Sequence, residues 1–334
     1  MGDRTKIAWT DSSWNPLRGC SKVSAGCKNC YAETMAARFA GPGGPYEGTI
    51  EGRHWNGQIR LVPEHLDDPL RWTRPRKVFV NSMSDLFHDG VSFEYIAAVF
   101  GVMAVASATR GHVFQILTKR PASMREVVTT LRGDPQAMVN ALRSLSGMVA
   151  EHHITFLSAL VSGDPGALFP AHIYVSAEDQ ATVDERIPLL LDTQAAVRGV
   201  SLEPLLGPID FRRVPGLNKA GSAGHDIVRN FHVIVGGESG PGARPCDVAW
   251  IRSIVEQCHI AGVPCFVKQL GARPVQSPAE ALRHLRGSDA WSAVGNLPGA
   301  EREMLTPLPM HLKHPKGGSM AEWPADLRVQ EDAP

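Results

Sequence analysis

Three cysteines on one short stretch are the chemically suggestive feature of this 334-residue chain. Cys20, Cys27 and Cys30 follow Trp14, Asn15 and Pro16 at a C-x6-C-x2-C spacing. Gly19 and Gly26 stand just before the first two thiols, so the backbone can wrap closely around whatever the sulfurs hold. Ser21, Lys22 and Ser24 between them argue against a core strand. Cysteine binds metal as the thiolate, and soft thiolates select zinc or iron–sulfur clusters. Structural zinc takes four closed ligands, often from two C-x2-C pairs, and only one such pair is present. A 4Fe–4S cluster held by three cysteines keeps one iron open to a small molecule, and the spacing suits it. The expected cofactor is therefore a 4Fe–4S cluster, with zinc or three metal-free thiols as the alternatives. Of the other cysteines, Cys258 lies on an apolar helical stripe and Cys265 within a strand, where each acts as a small hydrophobe. Cys246, beside Pro245 in a loop, stays open.

The chain must supply a scaffold to position these thiols. Hydrophobic residues make up 43%, ample for a core. The 34 basic residues balance 34 acidic ones, so no global field draws the chain to nucleic acid or membrane. A local run of Arg71, Arg74, Arg76 and Lys77 either touches phosphates or is a solvated lead-in to the next strand. Six cysteines in so long a chain form no disulfide framework. No leader-like segment and no membrane-spanning apolar run is read, so the expectation is a cytoplasmic protein without a membrane partner.

After the cysteines, Tyr31, Met35 and Phe39 recur at four-residue steps, which predicts a helix ending at Gly41-Pro42. Residues 41–62 read as a long functional or mobile loop, in which Trp55 either stacks on a ligand or plugs the core. A repeated unit then begins: a short apolar strand, a polar tip and an amphipathic helix. Strands are expected around Val78, Val113, Ile173, Val197, Val233 and Pro264. Ser92 and Pro121 open helices, and Gly111 and Gly262 close them. Residues 133–170 read as a helical insertion beside the repeat, and 214–230 as a loop insertion. Residues 272–334 read as an extension packed on the main domain 1–271, with a short helix at 279–285. Strand–helix alternation argues a parallel sheet, and a complete or partial (β/α) barrel fits best because almost every tip is polar. A doubly wound open sheet is the alternative.

The tips supply the candidate ligand-binding groups. Ser82 and Asp85, after Asn81, suit the ammonium of an amino acid, or else cap the turn. Glu178, following Ser176, and Glu203 suit ribose hydroxyls or an ammonium; otherwise they form buried salt bridges with Lys119, Arg120 or Lys268. Gly236, Gly237, Glu238 and Ser239 can hold a polar ligand with backbone N–H groups and a carboxylate, or form a tight turn. His88 either titrates near neutrality or is structural.

Several blocks together carry a resemblance. They are WNP and the cysteine run with CYAE (14–33), VFVNSMSDLFH (78–88), LTKRP (117–121), SLEPLLGPID (201–210), VGGESG (235–240), VKQLG (267–271) and EWPADLRV (322–329). In this order they resemble a phage- and prophage-associated three-cysteine-motif family of unclear role. That family is similar to a distant branch of the radical S-adenosylmethionine superfamily. The resemblance implies that Cys20, Cys27 and Cys30 ligate a 4Fe–4S cluster whose open iron takes the amino and carboxylate groups of S-adenosylmethionine. From their place at the strand tips, and not by transfer from the family, Asn81, Ser82, Asp85, Ser176, Glu178, Glu203 and Gly236 to Ser239 are expected to complete that pocket. It further implies radical chemistry fed by an electron donor, with a nucleotide or nucleic acid as the preferred substrate. Two other classes stay open: a zinc-stabilised nucleic-acid-binding module, and a non-catalytic phage interaction protein on a barrel scaffold.

Overall fold

The computed structural model describes residues 5, 7–145, 147–163, 168–217, 230–276, 308–310 and 312–333. Most of the insertion expected at 214–230, and the whole helix expected at 279–285, lie outside the described residues.

Seven strands form the central sheet: β1 (Ser12–Trp14), β2 (Lys77–Val80), β3 (Val113–Thr118), β4 (His172–Ser176), β5 (Val197–Leu202), β6 (Phe231–Gly236) and β7 (Cys265–Gln269). All pairs are parallel, and each strand neighbours the next in the chain. This order has no reversal, which removes the doubly wound alternative. Among the described residues β1 and β7 do not pair, so the barrel is partial: a curled half barrel, not a closed one.

Side-chain alternation produces the curl. Val78, Val80, Phe114, Ile116, Ile173, Val175, Val200 and Leu202 join the large core outside the sheet, against the helices. Phe79, Tyr174, Ile234 and Phe266 point the other way and meet Trp9 in a second cluster. Side chains from β2, β4, β6 and β7 can share one cluster only if the sheet bends around them. Gly199 makes room for this layer: a Cβ there would lie 2.2 Å from the Tyr174 ring.

Besides a single turn at Asp68–Arg71, the helices are α1 (Tyr31–Ala36), α2 (Phe93–Arg110), α3 (Pro121–Gly133), α4 (Gln136–Ser144), α5 (Glu151–Gly163), α6 (Gln180–Leu191) and α7 (Val248–Ala261). Ser92 caps α2 by accepting from the Tyr95 N–H, and Gly111 ends it at φ 70°, where glycine carries no side-chain penalty. Asp179 and Thr182 form a capping box that starts α6 directly after the β4 tip. α2 is buried on nearly every side from Tyr95 to Ala106. The inserted helices α4 and α5 cover its outer side, and a Cβ on Gly101 would come within 3.0 Å of Leu157 and 3.2 Å of Leu142. Contrary to the expectation that no segment does so, α2 reaches the length and apolarity of a membrane span, and 67% of that stretch is buried inside the fold.

Residues near the C-terminus cover the open edge of β7. The Val267 N–H donates to the Val329 carbonyl at 2.8 Å, and the Glu331 N–H donates to the Cys265 carbonyl at 3.0 Å. Asp332 reaches Lys77 at the foot of β2, 2.9 Å away. An unpaired sheet edge is thereby blunted.

Candidate functional site

The cysteine stretch leaves the end of β1 and lies over the C-terminal ends of the other strands. At the β2 tip, Asp85 is buried and serves as a hub. It accepts from the Thr118 hydroxyl at 2.8 Å, the Lys119 N–H at 3.1 Å and Arg120 Nη1 at 3.0 Å. Arg120, so aimed, donates through Nη2 to Ser21 Oγ at 2.8 Å, and its Nη1 stands 4.0 Å from Cys20 Sγ. His88 accepts from the Gly90 N–H through Nδ1, so Nε2 carries the proton and donates to Ser21 Oγ at 2.8 Å. Burial, then the Arg120 charge, hold His88 below its ordinary value.

At the β4 tip, Glu178 is 0% exposed and accepts from the Gly26 N–H at 2.9 Å. It also faces Arg186 of α6 at 3.3 Å and Lys119 at 3.9 Å. Lys119 Nζ in turn donates to Ser176 Oγ. At the β5 tip, Glu203 pairs with Lys268 of β7 at 2.9 Å. At the β6 tip, Glu238 accepts from Arg244 Nη2 at 2.6 Å and Nε at 2.9 Å, and from Asn29 Nδ2 at 3.0 Å. Burial pushes the Glu238 carboxyl up, but the Arg244 and Asn29 hydrogen bonds outweigh it and hold the group below its ordinary value. Arg244 also donates to the Ala25 carbonyl at 2.9 Å. Tyr31 completes the set by donating to the Ser82 carbonyl at 2.7 Å. The cysteine loop and the turn into α1 are therefore pinned to the tips of β2, β3, β4 and β6.

The thiols sit in an environment of opposing forces. Burial, then the nearby Asp85 charge, push Cys20 up to about 12 against the pull of Arg120. Burial raises Cys30 as well, opposed by the backbone N–H groups of Glu33 and Ala32 at the start of α1 and by the Trp55 side chain. In both, burial disfavours the charged form while nearby N–H groups favour it. Hydrogen bonds to sulfur are among the features that tune an iron–sulfur cluster. Among the described residues, no three His, Cys, Asp or Glu side chains are gathered to hold a single metal ion.

The strand-tip candidates divide by what they touch. Asp85, Glu178 and Glu238 converge on the cysteine loop, while Ser176 and Glu203 face the lysines of the rim. Gly236 and Gly237 are required by close approach: a Cβ would lie 2.8 Å from Glu203 Oε1 at the first and 2.3 Å from the Leu270 carbonyl at the second. Ser82 donates to Asn15 Oδ1 at 3.3 Å, and Ser239 is half-buried. Asn81 is 2% exposed, and its side-chain N and O have no partner among the described residues. Its φ of 59° is left-handed, uncommon for a residue other than glycine, and buried orphan amides of this kind concentrate at functional positions. Trp55 is half-buried, and its backbone N–H donates to Glu33 of α1 at 2.9 Å. Cys246, Cys258 and Cys265 are all buried in the core.

Sequence reasoning missed Ser21, Asn29, Arg186 and Arg244. Arg186 did leave a signal, since it interrupts the buried stripe of Val183, Ile187 and Leu190 on α6, where an arginine demands a buried acid. Arg244 follows Glu238 by six residues in a turn, too far for any local pairing rule to connect them.

No curated protein and no solved structure matches the chain. A family model does match residues 4–295, nearly its whole length, and by that match the chain belongs to DUF5131, a family of proteins of unknown function.

Proposed function

We propose that the chain is an iron–sulfur protein related to the radical S-adenosylmethionine superfamily, with Cys20, Cys27 and Cys30 holding a 4Fe–4S cluster. The observation that carries this reading is the three-thiol loop, fixed over the polar mouth of a parallel half barrel by Glu178, Glu238 and Arg120, whose Nη1 stands 4.0 Å from Cys20 Sγ. When bound, the cluster and S-adenosylmethionine would supply reductive cleavage to a 5′-deoxyadenosyl radical that abstracts hydrogen from a substrate, given an external electron donor. The protein's own groups do the positioning. Asp85 and Arg120 hold the first cysteine, Glu178 holds the backbone before the second, and Glu238 with Arg244 and Asn29 holds the segment before the third. Ser239 and Asn81, with Glu203 and Ser176 beside their lysine partners Lys268 and Lys119, would meet the polar end of the bound molecule. The substrate class is a nucleotide or nucleic acid. All six cysteines are free, which suits the cytoplasm.

Anaerobic purification followed by iron, sulfide and zinc analysis tests the metal. Each of Cys20→Ala, Cys27→Ala and Cys30→Ala should lose iron and brown colour, whereas Cys258→Ala should keep both. Wild-type iron in Cys27→Ala would overturn the cluster assignment. Adding S-adenosylmethionine to the reduced protein should change the cluster's electron paramagnetic resonance spectrum; an unchanged spectrum at saturation would leave a cluster protein without the proposed cofactor.

A further inference from the structure

The four-residue repeat of Tyr31, Met35 and Phe39 reads as a helix face for the core, and the fold turns it outward. α1 buries Ala32, Glu33 and Ala36, while Tyr31 is 52% exposed, Met35 37% and Phe39 51%. Val23 of the cysteine loop adds a further apolar side chain at 45% exposure. Residues four apart on a helix are neighbours, so the first two form one stripe, continued by Phe39 on the following turn. Surface patches of this kind mark interaction sites.

The charges around the stripe say what fits it. The whole chain is neutral, but residues 16–61 carry six Lys or Arg against three Asp or Glu. One of those acids, Glu33, is buried and already paired with Lys22 at 3.1 Å. Lys28 precedes the stripe and Arg38 lies within its last turn; both are exposed and have no side-chain partner among the described residues. Tyr31 is held by its hydroxyl bond to the Ser82 carbonyl, so the ring is fixed while much of its surface stays open. Exposed aromatic rings beside unpaired cations are the two components of single-stranded nucleic-acid binding: bases stack on the rings and phosphates meet the cations.

We propose that the outer face of the cysteine loop and α1 is a docking surface for single-stranded nucleic acid, with Tyr31 and Phe39 stacking on bases and Lys28 and Arg38 on the backbone. The proposal rests on the nucleic-acid reading of the substrate and adds the strand state and the residues that read it.

Fluorescence anisotropy of a labelled oligodeoxythymidine of roughly 20 nucleotides tests it, at ~50 and ~200 mM salt, beside a duplex of equal length. The wild type should bind the single strand more tightly than the duplex. Tyr31→Ala with Phe39→Ala should weaken binding at least ~30-fold, two stacked bases at the low end of their worth. Tyr31→Phe keeps the ring and should retain binding. Lys28→Ala with Arg38→Ala should lower the log–log salt slope by about 1.4, two phosphates at ~0.7 each. All these side chains are exposed, and circular dichroism checks that each variant is folded. The proposal is overturned by no saturable binding at the lower salt, by equal affinity for duplex, or by a two-ring variant that binds like wild type. It is also overturned if light scattering finds a dimer that Met35→Glu dissociates, since a second copy would then cover the stripe. The assay needs no cluster, so its failure and the loss of the iron assignment are separate outcomes.

Discussion

Glu178 offers the sharpest test of how the mouth is built. Its carboxylate is 0% exposed, and its partner Arg186 is 2% exposed. Glu178→Gln keeps the shape and an oxygen for the Gly26 N–H, but it removes the negative charge opposite a guanidinium that water cannot reach. Breaking a buried ion pair from one side costs about 3–5 kcal/mol. Lys119 is the outer partner at 3.9 Å and is partly solvated, so its contribution is small and the low end, about 3 kcal/mol, applies. In urea, that loss lowers the unfolding midpoint by roughly 1 M for a slope near 3 kcal/mol/M. Replacing both partners with Glu178→Leu and Arg186→Leu should recover at least half of the loss, because no charge is then stranded. Hydrogen exchange at the Gly26 amide should speed up in Glu178→Leu and stay slow in Glu178→Gln. A Glu178→Gln protein within about 0.5 kcal/mol of wild type would refute the reasoning. So would a double variant as unstable as the two single losses added. Glu178 would then be a strand-tip acid free to bind a ligand, not the anchor of the loop.

Two further outcomes follow from the inner layer of the half barrel. Gly199→Ala should cost about 1–3 kcal/mol or more and perturb the near-ultraviolet signal of the aromatic cluster, because its Cβ would meet the Tyr174 ring at 2.2 Å and the His232 carbonyl at 2.7 Å; an unchanged melting curve would mean that Tyr174 does not cross β5. Burial, then the charges of His232 and Lys77, lower His172 to about 4, below its ordinary 6.5. A depressed histidine contributes stability above pH 6.5 that is lost as pH falls toward 4, amounting to roughly 3 kcal/mol when complete. Burial lowers His232 in the same direction. His172→Leu should flatten this acid limb in urea titrations across that range, and an unaltered pH dependence would remove His172 from the account.

The sequence alone determined the repeat and the thiols. Short apolar strands ending in polar tips are a local signal, because burial on both faces of a parallel strand demands an unbroken apolar run. Ser92, Gly111 and Gly262 marked helix ends through cap chemistry that needs no tertiary partner. The C-x6-C-x2-C spacing exposed the metal candidate because its ligands sit close in the chain. What only the tertiary structure decided is who pairs with whom across long separations. Gly26 meets Glu178 and Asn29 meets Glu238 at separations of 152 and 209 residues, so no periodicity could reveal that the strand-tip acids clamp the cysteine loop. The same limit hid the orientation of α1. A four-residue apolar repeat states that one side of a helix differs from the other, but whether that side meets the core depends on what packs against it. Here Ala32 and Ala36 let the small side of α1 pack inward, and Glu33 reaches in to His54 and the Trp55 backbone. The larger side chains, Tyr31, Met35 and Phe39, are left facing solvent.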